Sequence, residues 1–180
     1  MDGNGRDASG SRRDLMLESA NFRYHHARGA IYGRFTERGL RNLILPVGAS
    51  KEKVAYLLHS AANVVWAEPL HSALARYFSG RPETFAGIPL DLEAGTAFQR
   101  QVWETARRIP WGATTTYGEL ACLMGRARGS ARAVGQALGA NPVSILVPCH
   151  RILASGGGLG GFSCGLDWKR ELLRLEGYRF

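Results

Sequence analysis

Two capping boxes lie close together in the second half of the chain, Thr96-Ala97-Phe98-Gln99 and Thr116-Tyr117-Gly118-Glu119. In each, a threonine hydroxyl can satisfy the amide three residues on, while the Gln or Glu reaches back to the threonine amide. Both sites must therefore start helices. Phe98, Val102, Ala106 and Ile109 fall on one face of the first, which Pro110 ends, and Trp111-Gly112 makes a turn. The second runs through Leu120 and Leu123. Gly125 to Gly129 is a basic turn carrying Arg126 and Arg128, and Ser130 stands where it would cap a third helix, Ala131 to about Leu138. Helix, short glycine-containing turn, helix is the helix-turn-helix pattern.

That third helix is almost bare: Ala131, Ala133, Gly135, Ala137 and Gly139. Small residues suit tight packing in a core. They equally suit a helix entering the minor groove, about 6 Å wide against about 12 Å for the major groove. Arg132 is the one long cationic side chain among them. Twenty-three Lys+Arg against fifteen Asp+Glu give a net charge of +8, a balance that favours a polyanionic partner. The excess is mostly arginine, which forks onto phosphate.

Beyond the third helix comes Asn141-Pro142-Val143-Ser144-Ile145-Leu146-Val147-Pro148-Cys149-His150-Arg151-Ile152. The apolar run Ile145–Val147, stopped by Pro148, reads as a buried strand or extended segment delivering Cys149 to a turn. A thiol beside His150 and Arg151 is a candidate for a depressed pKa, and the thiolate is the nucleophile. Glycines 156–158, 160 and 161 follow and would let backbone approach a ligand. After Phe162-Ser163-Cys164-Gly165 a final helix spans Asp167 to Glu176 and ends at Gly177. Glu176 in its last turn opposes the helix dipole by roughly 0.3–1 kcal/mol, so its carboxylate needs another partner or is merely solvated.

The N-terminal half differs. Met1 to about Asp14 is Gly, Ser, Asp and Arg, the composition of a disordered tail. Asn21–His25, Ala30–Thr36 and Leu40–Leu45 read as strands, with Thr36-Glu37-Arg38-Gly39 as a hairpin turn. Ser50 to about Ser60 reads as a helix, Val64-Val65-Trp66 as a short strand, and Pro69–Ser79 as a second helix with Leu70, Leu74, Tyr77 and Phe78 at core spacing. Gly87–Leu92 is an extended connection. The pattern divides the chain into a tail (1–15), an N-terminal α/β domain (16–92) and a C-terminal domain (93–180). No apolar run reaches the length of a membrane span. Cys122, Cys149 and Cys164 form no CxxC pair, which favours reduced thiols in the cytoplasm.

Pro148-Cys149-His150-Arg151, preceded by Asn-Pro and an aliphatic run, resembles the signature of the O6-alkylguanine-DNA alkyltransferases, the methylated-DNA–protein-cysteine methyltransferases. The resemblance spans roughly Leu70 to Gly177 and extends more weakly into the N-terminal half. It implies an α/β protein of the α+β type. The N-terminal domain would be ribonuclease-H-like with a small antiparallel sheet, and the C-terminal domain helical, winged-helix-like, with the helix-turn-helix in the minor groove. It implies irreversible, single-turnover transfer of the alkyl group from O6-alkylguanine in double-stranded DNA to Cys149, with O4-alkylthymine as a second candidate substrate. The protein would act as a monomer, cooperative binding on DNA being one option, with no cofactor and no membrane. Some members carry a zinc in the N-terminal region; this chain has no cysteine before Cys122, so no metal is expected at His25-His26.

The resemblance also implies roles. Arg132 fills the stack left by a flipped nucleotide. Ala131, Ala133, Gly135, Arg126, Arg128 and Arg151 lie on the DNA side. His150 takes the thiol proton through a water, since neighbouring side chains of an extended segment point to opposite faces, and Glu176 stabilises the imidazolium. Tyr117 assists the leaving oxygen and contacts the flipped nucleotide's phosphate, while Asn141 braces the active-site turn. Leu138, Ile152, Phe162, Ser163, Cys164 and Lys169 form the base pocket. The Ser163 amide donates to O6, and the carbonyls of Cys149 and Ile152 accept from the exocyclic amine. Phe162 stands where many members have tyrosine, Cys164 where glycine is common, and Gln136 where some have glycine. Members of a related group that bind damage without repairing it carry tryptophan in place of the cysteine. Two other classes remain: a non-catalytic damage sensor or helix-turn-helix regulator, and a thiol hydrolase using the same triad.

Overall fold

The computed structural model describes residues 20–46 and 65–180. The expected tail, the helix over Ser50–Ser60 and Val64 lie outside these residues. Three strands, β1 (Phe22–His26), β2 (Gly29–Thr36) and β3 (Gly39–Ile44), form an antiparallel meander in the order β1-β2-β3. Alternation sets the buried face of β2, where Ile31 and Phe35 point inward, and in β3 both Leu40 and Leu43 are buried although three residues apart. The β2–β3 register shifts between Arg34 and Phe35, a bulge that twists the ribbon. At Gly39, with φ of 137°, a Cβ would lie 2.3 Å from the Pro89 carbonyl oxygen; only glycine lets residues 88–91 close against β3.

Helix α1 (Ala67–Phe78) packs over this sheet, with Tyr24 stacked on Phe78 and tilted against His71. It starts two residues before the expected Pro69, which the first turn tolerates because its missing N–H has no intrahelical partner there. Val65 and Trp66 form a turn rather than a strand; Val65 is exposed and pairs with no strand among the described residues.

Helices α2 (Ala97–Arg107), α3 (Tyr117–Leu123) and α4 (Ala131–Gly139) follow. Both capping boxes are made, Thr96 with Gln99 and Thr116 with Glu119. Ser130 makes no side-chain cap; Arg128–Ser130 form a 3-10 turn that runs straight into α4. Trp103 donates from Nε1 to the Ala137 carbonyl at 2.8 Å and so ties α2 to α4. The last helix, α5, covers Leu166–Leu175, with Glu176 at its C-cap and Gly177 left-handed behind it at φ 85°.

Two short pairings carry the fold to the site. The edge of β3 meets the segment before Cys149, where Leu43 bridges Val143 and the Leu43 amide donates to the Pro142 carbonyl at 2.9 Å. Strands β4 (Thr115–Thr116) and β5 (Ile152–Leu153) pair in parallel. They set the start of α3 beside the segment that leaves Cys149. One buried cluster runs from Phe22 through Tyr77, Trp103 and Val147 to Leu172, so a single core joins both halves.

Candidate active site

The run Ile145–Val147 is not a strand. Ser144 bridges Val147 across a tight turn in which Ile145 takes φ 74°, a conformation rare for a β-branched residue. Burial holds it there, since Ile145 is 1% exposed. The apolar character that suggests a strand reflects immersion in the core. At Pro148, φ −81° and ψ 61° with Cys149 N donating to Val147 O at 2.8 Å make an inverse γ-turn. Cys149, His150 and Arg151 then form a 3-10 turn, and all three are buried. The backbone bend releases His150 from the opposite-face rule of an extended segment.

Asn141 holds the thiol. Its Nδ2 donates to the Val147 carbonyl at 3.0 Å and to Cys149 Sγ at 3.1 Å, and its Oδ1 accepts from the Val143 amide at 3.0 Å. Burial pushes the Cys149 thiol up to about 11, against the pull of the Asn141 hydrogen bond. The expected depression is therefore reversed: neither neighbouring cation is directed at the sulfur. Arg151 instead turns inward, giving Nε and Nη2 to Glu176 at 2.8 and 2.9 Å and Nη1 to the Ile109 carbonyl at 2.7 Å. With its guanidinium so engaged and only 6% exposed, Arg151 does not lie on a DNA-facing surface.

Glu176 is the hub of this cluster. Oε1 accepts from Tyr77 Oη at 2.7 Å, from His150 Nε2 at 2.8 Å and from Arg151 Nη2; Oε2 accepts from Arg151 Nε and from the Gly112 amide at 3.4 Å. Burial alone would raise its carboxyl, but the His150 and Arg151 bonds outweigh that and hold it at about 2. Burial lowers His150, opposed by Glu176. The ionised carboxylate only accepts, so His150 carries its proton on Nε2. Nδ1 is then a lone-pair acceptor, buried and without a hydrogen-bond partner among the described residues.

A cavity of about 530 Å³ opens onto the thiol, walled by Tyr117, Arg132, Gly135, Leu138, Phe162 and Ser163, with Cys149 in its lining. Ala131, Gln136, Gly139 and Gly161 complete the rim. Of the residues expected in the pocket, Leu138, Phe162 and Ser163 line it, whereas Ile152, Cys164 and Lys169 do not. Lys169 is fully buried and donates to the carbonyls of Ile152 at 2.6 Å and Gly161 at 3.2 Å; burial brings its amine down to about 8. Cys164 contacts Ser144 Oγ at 3.4 Å. Tyr117 Oη donates to the Gly161 carbonyl at 3.3 Å, and a Cβ on Gly160 would come within 2.7 Å of that hydroxyl. Glycine at 160, with φ 66°, is what lets the tyrosine stand over the cavity. Arg132 and Ala133 are exposed on α4, and Arg126 and Arg128 on the turn before it. Arg126 also lies 4.9 Å above the Phe98 ring.

A family model for the 6-O-methylguanine DNA methyltransferase DNA-binding domain matches residues 97–178. The methylated-DNA–protein-cysteine methyltransferase of Haemophilus influenzae is 51% identical over 104 residues, 58% of this chain and 57% of that protein. The Salmonella typhimurium protein of the same name is 48% identical over 109 residues, 61% and 63% of the two chains. The matched region thus spans about three-fifths of these relatives. Solved structures extend the likeness. A variant of Mycobacterium tuberculosis O6-methylguanine methyltransferase is 35% identical with a TM-score of 0.70, covering 88% of this chain and 94% of that one. The chain belongs to the O6-methylguanine-DNA methyltransferase family. Another M. tuberculosis structure, OGT in complex with DNA, is 34% identical with a TM-score of 0.68, over 86% and 90% of the two chains. Within this family frame, the residue that sequence reasoning missed is Tyr77. At helical spacing it reads as packing, yet a fully buried tyrosine hydroxyl needs a partner, and that requirement is the available signal.

Proposed function

We propose that this chain repairs DNA by direct reversal, taking the alkyl group from O6-alkylguanine in duplex DNA onto Cys149. The observation that carries the reading is the Cys149 thiol in the lining of a cavity bounded by the bare α4 helix and Arg132. The Mycobacterium tuberculosis relative in complex with DNA supports the partner class. Exposed Arg126, Arg128 and Arg132 contact phosphate and the duplex, Ala131, Ala133 and Gly135 keep α4 slim enough for the minor groove, and Arg132 occupies the gap left by the extruded nucleotide. The molecule acts as a monomer in the cytoplasm, with residues 93–180 as its DNA-binding and catalytic domain.

The thiol is neutral at rest, so proton removal belongs to the reaction. His150 Nδ1 accepts the Cys149 proton through a bridging water, and Glu176 stabilises the resulting imidazolium. The sulfur attacks the alkyl carbon in line; the C–O bond breaks and its electron pair goes to guanine. Tyr117 and the Ser163 amide meet the charge developing on the leaving oxygen. Asn141 keeps the sulfur aimed, Leu138 and Phe162 wall the base, and Lys169 braces the Ile152 carbonyl. The product is a thioether that nothing in the site can cleave, so each molecule acts once.

Intact-mass analysis after incubation with methylguanine-containing duplex tests this. One methyl mass should appear, mapped to Cys149, and Cys149→Ser should bind the duplex and gain nothing. Repeated turnover, or a methyl on Cys164, overturns the assignment.

A further inference from the structure

We propose that Tyr77 is a positioning residue for the His150 base: its hydroxyl, delivered by α1 from the N-terminal half, pins Glu176 Oε1 and holds the imidazole, in the tautomer that Glu176 sets, so that Nδ1 is aimed to take a proton. The inference rests on the alkyl-transfer reading for its kinetic consequence but not for its structural one.

Tyr77 is fully buried, and its hydroxyl has one hydrogen to give. That hydrogen goes to Glu176 Oε1 at 2.7 Å. The 3.3 Å contact with His150 Nε2 must then run the other way, Nε2–H donating to the phenol oxygen as the weaker branch of a bond shared with Glu176 at 2.8 Å. Two acceptors from different parts of the chain thus hold one N–H. Either alone would leave the imidazole a hinge. The phenol is itself held, with Phe78, Phe85 and Trp111 packed around its ring at centroid distances of 5.4, 5.6 and 5.1 Å. Phenylalanine would fill the same space. The hydroxyl is the part that packing does not require.

The other charged or titratable groups acting on His150 are Glu176 and Arg151 beside it and Lys169 from α5. Tyr77 competes with His150 for the same carboxylate oxygen. Without the phenol hydrogen, Oε1 pulls harder on the imidazole proton, so the imidazole protonates at higher pH. The ring also loses its second acceptor, and general-base efficiency, worth about 10²–10⁴-fold in total, depends on registration.

The test has two parts. In the wild type, ¹⁵N shifts of His150 should show the proton on Nε2 near neutral pH; a proton on Nδ1 overturns the proposal whatever the variant does. In Tyr77→Phe, transfer from free O6-methylguanine base should slow by about tenfold, and both the His150 titration and the acid limb of the pH–rate profile should move to higher pH. A folded Tyr77→Phe protein with wild-type rate and profile would show a residue that only packs. Failure of the wild type to take up methyl defeats the functional reading instead, and the shift of the His150 titration in Tyr77→Phe still decides Tyr77.

Discussion

Cys149 shows how far a residue's neighbours in sequence are from its neighbours in space. His150 and Arg151 follow it directly, yet both turn toward Glu176, and the thiol is left with Asn141 and a buried wall. Its pKa of about 11 follows from that burial. In the absence of DNA, alkylation of Cys149 by iodoacetamide should therefore climb about tenfold per pH unit from 7 to 10 and level off only near 11. Asn141→Ala removes a donor that favours the thiolate, so its inflection should lie higher still. Mass spectrometry of the labelled peptide reads both curves; a plateau by pH 8 would mean that the resting thiol is activated before substrate arrives. Cys149 and His150 were legible in the sequence as a thiol beside two cations in a turn, and Glu176 as a carboxylate opposing a helix dipole, whereas Asn141 took its role from the family resemblance alone. The ionisation was not legible, because it depends on where the Arg151 fork points.

At the level of elements, local chemistry was the reliable guide. The two capping boxes and the strand alternation around Thr36–Gly39 placed α2, α3 and the β2–β3 hairpin, because those signals are satisfied within a few residues. Ile145–Val147 misled because a run buried on all sides looks the same as strand or turn. Ser130 misled because the 3-10 turn before α4 already supplies the helix start. On α4 itself, Arg132 is exposed at the rim of the cavity while Val134 and Ala137 face the core. If the helix works by entering the duplex, Arg132→Ala should slow repair of duplex DNA by about a hundredfold, since extruding a nucleotide costs a few kcal/mol that the arginine no longer offsets. Reaction with free O6-methylguanine needs no extrusion and should stay within about threefold of wild type. Single-turnover rates on the two substrates decide between this role and a structural one, which would depress both alike.

Across the whole molecule, the buried polar cluster is where the halves are joined. Tyr77 comes from α1, Gly112 from the turn after α2, His150 and Arg151 from the cysteine turn, and Glu176 from the end of α5. Long-range convergence of this kind leaves no periodic trace, which is why Glu176 was visible in the sequence as a misplaced charge while, of its partners, only His150 was expected, and that through the family resemblance. The cluster also sets how the fold responds to acid. The Glu176 carboxyl is held at about 2, against 4.5 in the absence of partners, so its stabilisation is complete above about pH 4.5 and is lost as pH falls toward 2. The shift corresponds to about 3 kcal/mol. His150 is lowered as well; below its ordinary value of 6.5 the unfolded chain binds the proton first, and this also removes stability as pH falls. Urea unfolding at pH 7, 5 and 3.5 should therefore show two declines, the first beginning below 6.5 and the second below 4.5. Glu176→Gln should cost about 3–5 kcal/mol at pH 7, because Arg151 stays buried without its counter-charge. Between pH 4.5 and 3.5 the variant should then decline less steeply than the wild type, having no carboxylate there to protonate. Parallel curves for the two proteins through that interval would mean that the acid sensitivity of the fold resides elsewhere.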